Sequence, residues 1–203
     1  IEPDIPKIIS GLYDGKTTGT PLAMVIENTN TRSQDYKNLK ASMRPGHADY
    51  TGYLRYHGQN DIRGGGHFSG RLTACLVMAG AICGQLLEEK GIYTGAHLLS
   101  VGALKGQKLD TLTLTKEEVL SLRKLPFPVR DPQLREEIIK KINDVRISQN
   151  SIGGMIECVC VGMPAGVGSP MLNSLESILS SLIFSVPGVK GLEFGKGFEV
   201  ASM

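Results

Sequence analysis

A chain of 203 residues with 41% hydrophobic content holds enough apolar side chains for one core, or for part of a larger one. Its formal charge of +2 and 5% aromatic content, without a basic run, argue against a nucleic-acid partner, which calls for a concentrated Lys/Arg stripe with interleaved aromatics. Cys75, Cys83, Cys158 and Cys160 lack C-x-x-C spacing and lie in apolar segments, so buried reduced thiols are expected rather than a metal site, in keeping with the cytoplasm.

Ile1 opens on Glu, Pro and Asp, without the basic region and apolar stretch of a signal peptide. Lys7 to Tyr13 and Pro21 to Glu27 read as strands joined by a turn over 14–20. Gly15-Lys16-Thr17 ends like a phosphate-binding P-loop, but the first glycine of that motif would fall at Ser10, and Pro21, Val25 and Ile26 continue as strand where a P-loop enters a helix. Arg32, Ser33, Asp35 and Tyr36 form a polar loop.

The informative stretch runs from Arg44 to Ala74. It carries His47, His57 and His67, which are three of the four histidines, and Arg44, Arg55, Arg63 and Arg71, against Asp49 and Asp61, with no lysine. Guanidinium forks grip phosphate and carboxylate with paired hydrogen bonds, so a small, multiply charged anion is the expected ligand. Pro45 disfavours helix at Arg44 and Gly46 permits a positive φ before His47, so Arg44 to Asp49 reads as a sharp loop that aims a histidine. Gly64-Gly65-Gly66 leads to Ser69, a helix N-cap, and one helix is predicted from there to Lys90 and Gly91. Glycine-rich backbone opening onto a helix N-terminus suits an anion. The helix is apolar nearly all round, with Ala74, Ala79, Gly80, Ala81 and Gly84 among larger residues, which predicts a close-packed helix buried between layers; its apolar run is too short for a membrane span.

Further on, Ala96 to Leu104 reads as a buried strand with His97 in a structural role, Thr115 to Leu122 as a helix with a Thr115/Glu118 capping box, and Asp131 with Pro132 as the start of a helix to Val145. Met155 to Val161 alternates as a strand, Met171 to Phe184 reads as a helix, and Val189 to Val200 as a returning strand. Strands flanking two apolar helices without regular βαβ alternation predict an α+β fold.

The residues R-P-G-H-A-D over Arg44 to Asp49, and then the run from His57 to Ala74 containing Asp61-Ile62-Arg63-Gly64-Gly65-Gly66-His67-Phe68-Ser69-Gly70-Arg71, resemble the chorismate synthase family pattern R-P-G-H-A-D followed by Y-G-x-x-D-x-R-G-G-G-R-S-S-A-R-E-T-A. The polar loop resembles that family's R-S-x-D-Y, and Pro187 to Phe198 its P-x-V-K-G-F-E-x-G-x-G-F. The resemblance implies a β/α/β sandwich with apolar helices packed between antiparallel sheets, a cytoplasmic homotetramer, and residues 1–203 as the central part of one catalytic domain incomplete at both ends. The implied reaction eliminates phosphate and a ring hydrogen from 5-enolpyruvylshikimate 3-phosphate to give chorismate, the last step of the shikimate pathway. It requires reduced FMN, with NADPH or a separate flavin reductase as the source of reductant. By motif match His47 is the catalytic proton donor, Arg44 and Arg71 bind substrate anions, and His67, Phe68 and Ser69 contact FMN; no metal is implied. His67 and Phe68 replace the commoner Arg and Ser. Two alternatives stay open: a non-flavin enzyme acting on another phosphorylated carboxylic acid, and a non-catalytic fragment, since the chain alone is expected to be inactive.

Overall fold

The computed structural model describes residues 3–29 and 42–203. The polar loop of Arg32 to Tyr36 lies outside the described residues. The chain divides into two compact units, residues 1–80 with 169–203, and residues 81–168.

The first unit opens with β1 (Lys7–Ser10) antiparallel to β4 (Ala23–Val25), Lys7 opposite Val25 and Ile8 opposite Met24. The expected Lys7–Tyr13 strand is broken at Gly11, whose φ of 84° and close approach to the Leu22 backbone exclude a side chain. β2 (Leu12–Tyr13) then pairs with β3 (Lys16–Thr17) across Asp14 and Gly15, both at positive φ, as a two-residue hairpin turn requires. Lys16 and Thr17 are thus strand residues, and the P-loop reading is excluded.

After α1 (Asp49–Arg55), the glycine run forms 3₁₀ turns over Arg63–Phe68 and Gly70–Leu72. α2 (Thr73–Glu89) begins four residues later than its predicted cap, because Ser69 caps the 3₁₀ turn instead, its Oγ accepting from the Arg71 amide at 3.2 Å. α2 ends as expected at Gly91 (φ 76°), with Gly91 N–H donating to the Glu88 carbonyl and Ile92 N–H to that of Leu87, a Schellman arrangement. α5 (Leu175–Phe184) is capped by Ser174. The strand expected over 189–200 does not form. Gly188, Gly195 and Gly197 all take positive φ, and 197–202 is a 3₁₀ turn.

The second unit holds a three-stranded antiparallel sheet in the order β6 (Leu104–Lys105), β5 (Tyr93–Val101), β7 (Gly154–Val161). The predicted strand through Leu104 is split by a turn at Gly102 (φ 56°). α3 (Lys116–Leu122) carries the predicted capping box and lies so close to β5 that a Cβ at Gly95 would sit 2.8 Å from the Val119 carbonyl oxygen. α4 (Pro132–Ile147) starts from Asp131, whose carboxylate accepts from the amides of Gln133 and Leu134. Val101, Val129 and Ile138 form the core, with Leu98, Leu104, Phe127, Leu134, Ile142 and Ile152 against it. His97 is buried opposite Glu157, whose Oε2 it contacts at 2.8 Å while the Leu109 amide donates to the same oxygen, which bears out a structural role.

The α+β class holds, with antiparallel pairing in every sheet. Two expectations about burial do not. α2 contains no buried residue, and Leu76 and Val77 face outward, because nothing among the described residues covers them. By length and hydropathy alone residues 70–89 would reach across a membrane, so shortness is no ground for excluding a span. All four cysteines are free but exposed rather than buried. Partial burial, helped by the Glu157 carboxylate, still pushes the Cys158 thiol up, and Cys160 is raised by partial burial too.

Candidate functional site

The loop from Arg44 to Asp49 is a Pro-Gly turn. The His47 amide donates to the Arg44 carbonyl at 3.3 Å, and Gly46 at the third position has φ 76°, which a residue with a side chain would resist. Asp49, the first residue of α1, closes the loop on itself. Its Oδ2 accepts from both the backbone amide (3.0 Å) and Nε (2.9 Å) of Arg44, and its Oδ1 from Nη2 (3.0 Å). These hydrogen bonds hold the Asp49 carboxyl down to about 2, and the charge of nearby His47 acts in the same direction. His47 is left exposed on the turn.

α1 itself was missed in the sequence, although Tyr50, Tyr53 and Leu54 have helical spacing behind an acidic first residue. It ends in a second Schellman arrangement: Gly58 N–H donates to the Tyr53 carbonyl at 2.9 Å and His57 N–H to that of Leu54, with His57 itself at φ 51°. His57 is therefore a helix-terminating residue.

In the glycine run, Gly64, Gly65 and Gly66 take φ of 62°, 86° and 50°. Gly66 cannot be replaced, since a Cβ there would collide with the Asp61 carbonyl oxygen. Asp61 also accepts from the backbone amide, Nε and Nη2 of Arg63, and those bonds lower its carboxyl to about 2. Space beside Gly64 and Gly70 is open. His67 is exposed, Ser69 half-buried, and Phe68 packs its ring toward α1. Arg71 donates from Nη2 to Asp4 at 2.6 Å. Each of the three arginines Arg44, Arg63 and Arg71 is thus fastened by a carboxylate at hydrogen-bond distance, an arrangement that fixes the forks before any ligand arrives. The sequence indicated the arginines but not these partners; the short spacing of Asp49 and Asp61 to their arginines was the available signal, and Asp4 carried none. Among the described residues no group of three or more His, Cys, Asp or Glu could hold a metal ion.

The family model for chorismate synthase matches residues 1–203. The chain is 44% identical over 200 residues to the chorismate synthase of Pyrococcus abyssi, covering 98% of this chain and 54% of that one. It is 39% identical over 204 residues to that of Korarchaeum cryptofilum, covering 100% and 55%. A crystal structure of chorismate synthase superposes with a TM-score of 0.71 at 29% identity, over 98% of this chain and 58% of its own. The chain therefore spans about half the length of the relatives it matches. With a family model over the whole chain and relatives at this identity, the chain belongs to the chorismate synthase family.

Proposed function

We propose that the protein to which this chain contributes converts 5-enolpyruvylshikimate 3-phosphate to chorismate by eliminating phosphate and a ring hydrogen. The observation that carries this reading is the Arg44–Asp49 loop, which locks one guanidinium in a fixed plane and leaves His47 exposed on the same turn. A substrate with one phosphate and two carboxylates matches the pre-set forks of Arg44 and Arg71. Substrate anions would approach Arg71 where Asp4 now lies, exchanging one carboxylate for another. His47 gives and recovers a proton at its exposed imidazole.

Reduced FMN, when bound, would supply an electron-rich partner for phosphate loss without net redox change. The positive-φ turns at Gly64 and Gly65, with open space at Gly64, fit the close approach of a polar cofactor, and His67 and Ser69 stand at their end. Phe68 lays one edge of its ring against Gly52 of α1 and is 44% exposed. The reading includes NADPH or a separate reductase as reductant, a cytoplasmic homotetramer, and neither nucleic acid nor membrane as partner. Residues 1–203, as the middle of one catalytic domain, are expected by themselves to bind FMN weakly and to turn over no substrate.

The test is anaerobic single turnover with pre-reduced FMN, with and without NADPH, on a protein of full family length. His47→Ala should lower turnover by roughly 10²- to 10⁴-fold while substrate affinity changes only several-fold. Near-normal turnover would demote His47 to a loop residue. Absence of flavin binding by the unsubstituted protein would favour a non-flavin enzyme, and chorismate formation by residues 1–203 alone would overturn the fragment's dependence on the rest.

A further inference from the structure

Gly52 is the buried residue of α1. Glycine is the least favourable helix-interior residue after proline, so its presence there asks for a packing reason. A Cβ built on Gly52 would lie 2.6 Å from Cε2 and 3.2 Å from Cζ of Phe68, and 3.4 Å from Nδ2 of Asn60. Helix backbone and ring therefore meet with no room for a methyl group. One turn further along is Tyr56, whose ring centroid is 6.4 Å from that of Phe68 at an interplanar angle of 52°, within aromatic range. α1 is the helix that Asp49 opens and so continues the His47 loop, while Phe68 sits between His67 and Ser69. One ring thus ties the two stretches that carry the candidate site.

We propose that Phe68 is a positioning residue, seated on Gly52 and beside Tyr56 so as to fix the glycine turns against α1, and not a flavin contact. Its functional consequence rests on the chorismate synthase reading; the packing itself does not. The pairing also accounts for the departure from the commoner Ser at this position, because the ring fills the volume that a side chain at position 52 would need.

The experiment is a double-mutant cycle in a protein of full family length, with Gly52→Ala, Phe68→Ser and the two combined, reading FMN dissociation constant by flavin fluorescence and melting temperature. Gly52→Ala should weaken FMN about tenfold or more, since small displacements of a binding constellation are costly, and lower the melting temperature by several degrees, on the order of 3 °C or more. Adding Phe68→Ser should bring both readouts back to the level of Phe68→Ser alone, and Phe68→Tyr should keep near-normal FMN affinity. Additive losses in FMN affinity across the cycle would make Phe68 an independent flavin contact and overturn the proposal. A melting temperature that moves while FMN affinity stays constant in every variant would reduce the pair to structural packing and overturn it too. If the unsubstituted protein binds no FMN, the functional reading falls, and the melting cycle alone decides whether Phe68 and Gly52 are coupled.

Discussion

The two units are held by different physics. All the buried hydrophobic side chains found among the described residues, from Ile92 to Ile138, belong to the unit of residues 81–168, where α3 and α4 lie on the sheet. The other unit, which carries the candidate site, buries none among its described residues. Its conformation is set by positive-φ turns, helix caps, ion pairs to Arg44, Arg63 and Arg71, and the contact of Phe68 with Gly52. A core made by area burial tolerates little change in volume, whereas an arrangement pinned by directional bonds is sensitive to geometry more than to size. The unit with the core is stabilised by burial, and the other carries the candidate site and the apolar helix α5, which has no buried residue.

That contrast can be broken most directly in the core. Ile138 is fully buried, and Ile138→Ala should cost about 2 to 5 kcal/mol through lost transfer energy and an unfilled cavity. Leu182 on α5 is 56% exposed, and Leu182→Ala in residues 1–203 should stay within about 0.5 kcal/mol. Urea unfolding of both variants measures this. Equal losses would mean that the helix is packed after all, and a Leu182→Ala loss that grows in a protein of full family length would locate the missing cover of α5 there.

The same division explains what could be read from the sequence. Local signals reported local facts: the Thr115/Glu118 capping box, Asp131 before Pro132, Gly91 after α2 and Gly46 after Pro45 each act within a few residues and were all recovered. Burial is a long-range property, and there the pattern misled. An apolar helix such as α2 states that it must be covered, not that this chain covers it. Val189 to Val200 alternates like a strand, but a strand exists only with a partner, and glycines at positive φ took the chain elsewhere. At the candidate site, His47, Arg44 and Arg71 were singled out by motif and charge, and the carboxylate partners of the two arginines come from the structure. The meeting of Phe68 and Gly52 was not legible, since it depends on a helix that ends in a positive-φ histidine.

A smaller effect sharpens the claim that the first unit binds rather than stabilises. The Arg71–Asp4 pair is about one-third and one-half exposed at its two ends, so its share of stability is modest, roughly 0 to 1 kcal/mol. Arg71→Lys keeps the charge and loses the planar fork. Substrate should then bind more weakly by about 1 to 3 kcal/mol in a protein of full family length, with the urea midpoint nearly unmoved. Isothermal titration against unfolding separates the two quantities. An unchanged substrate dissociation constant would remove Arg71 from the site, and a large drop in stability with normal binding would make it a structural clamp.

A pH-dependent effect lies in the loop that presents His47. The Asp49 carboxyl falls to about 2 from an ordinary value of 3.8, first because of its hydrogen bonds from the Arg44 side chain. A folded value below the unfolded one gives stability that is fully present above the unfolded value and is lost as pH falls through the folded one, here between about pH 4 and pH 2. The Asp49 side chain is only 10% exposed, but its partner Arg44 is 34% exposed, and screening there trims the contribution to between about 1 and 2 kcal/mol. Asp49→Asn should therefore be less stable than the unsubstituted chain by that amount at pH 7, and the gap should close as pH approaches 2. Urea midpoints of the two proteins at several pH values between 7 and 2 give the comparison directly. Taking the difference between them cancels the acid response of the other carboxylates. A gap that stays constant with pH would show that Asp49 acts through shape alone, and no gap at pH 7 would mean that the Pro-Gly turn holds the His47 loop without its ion pair.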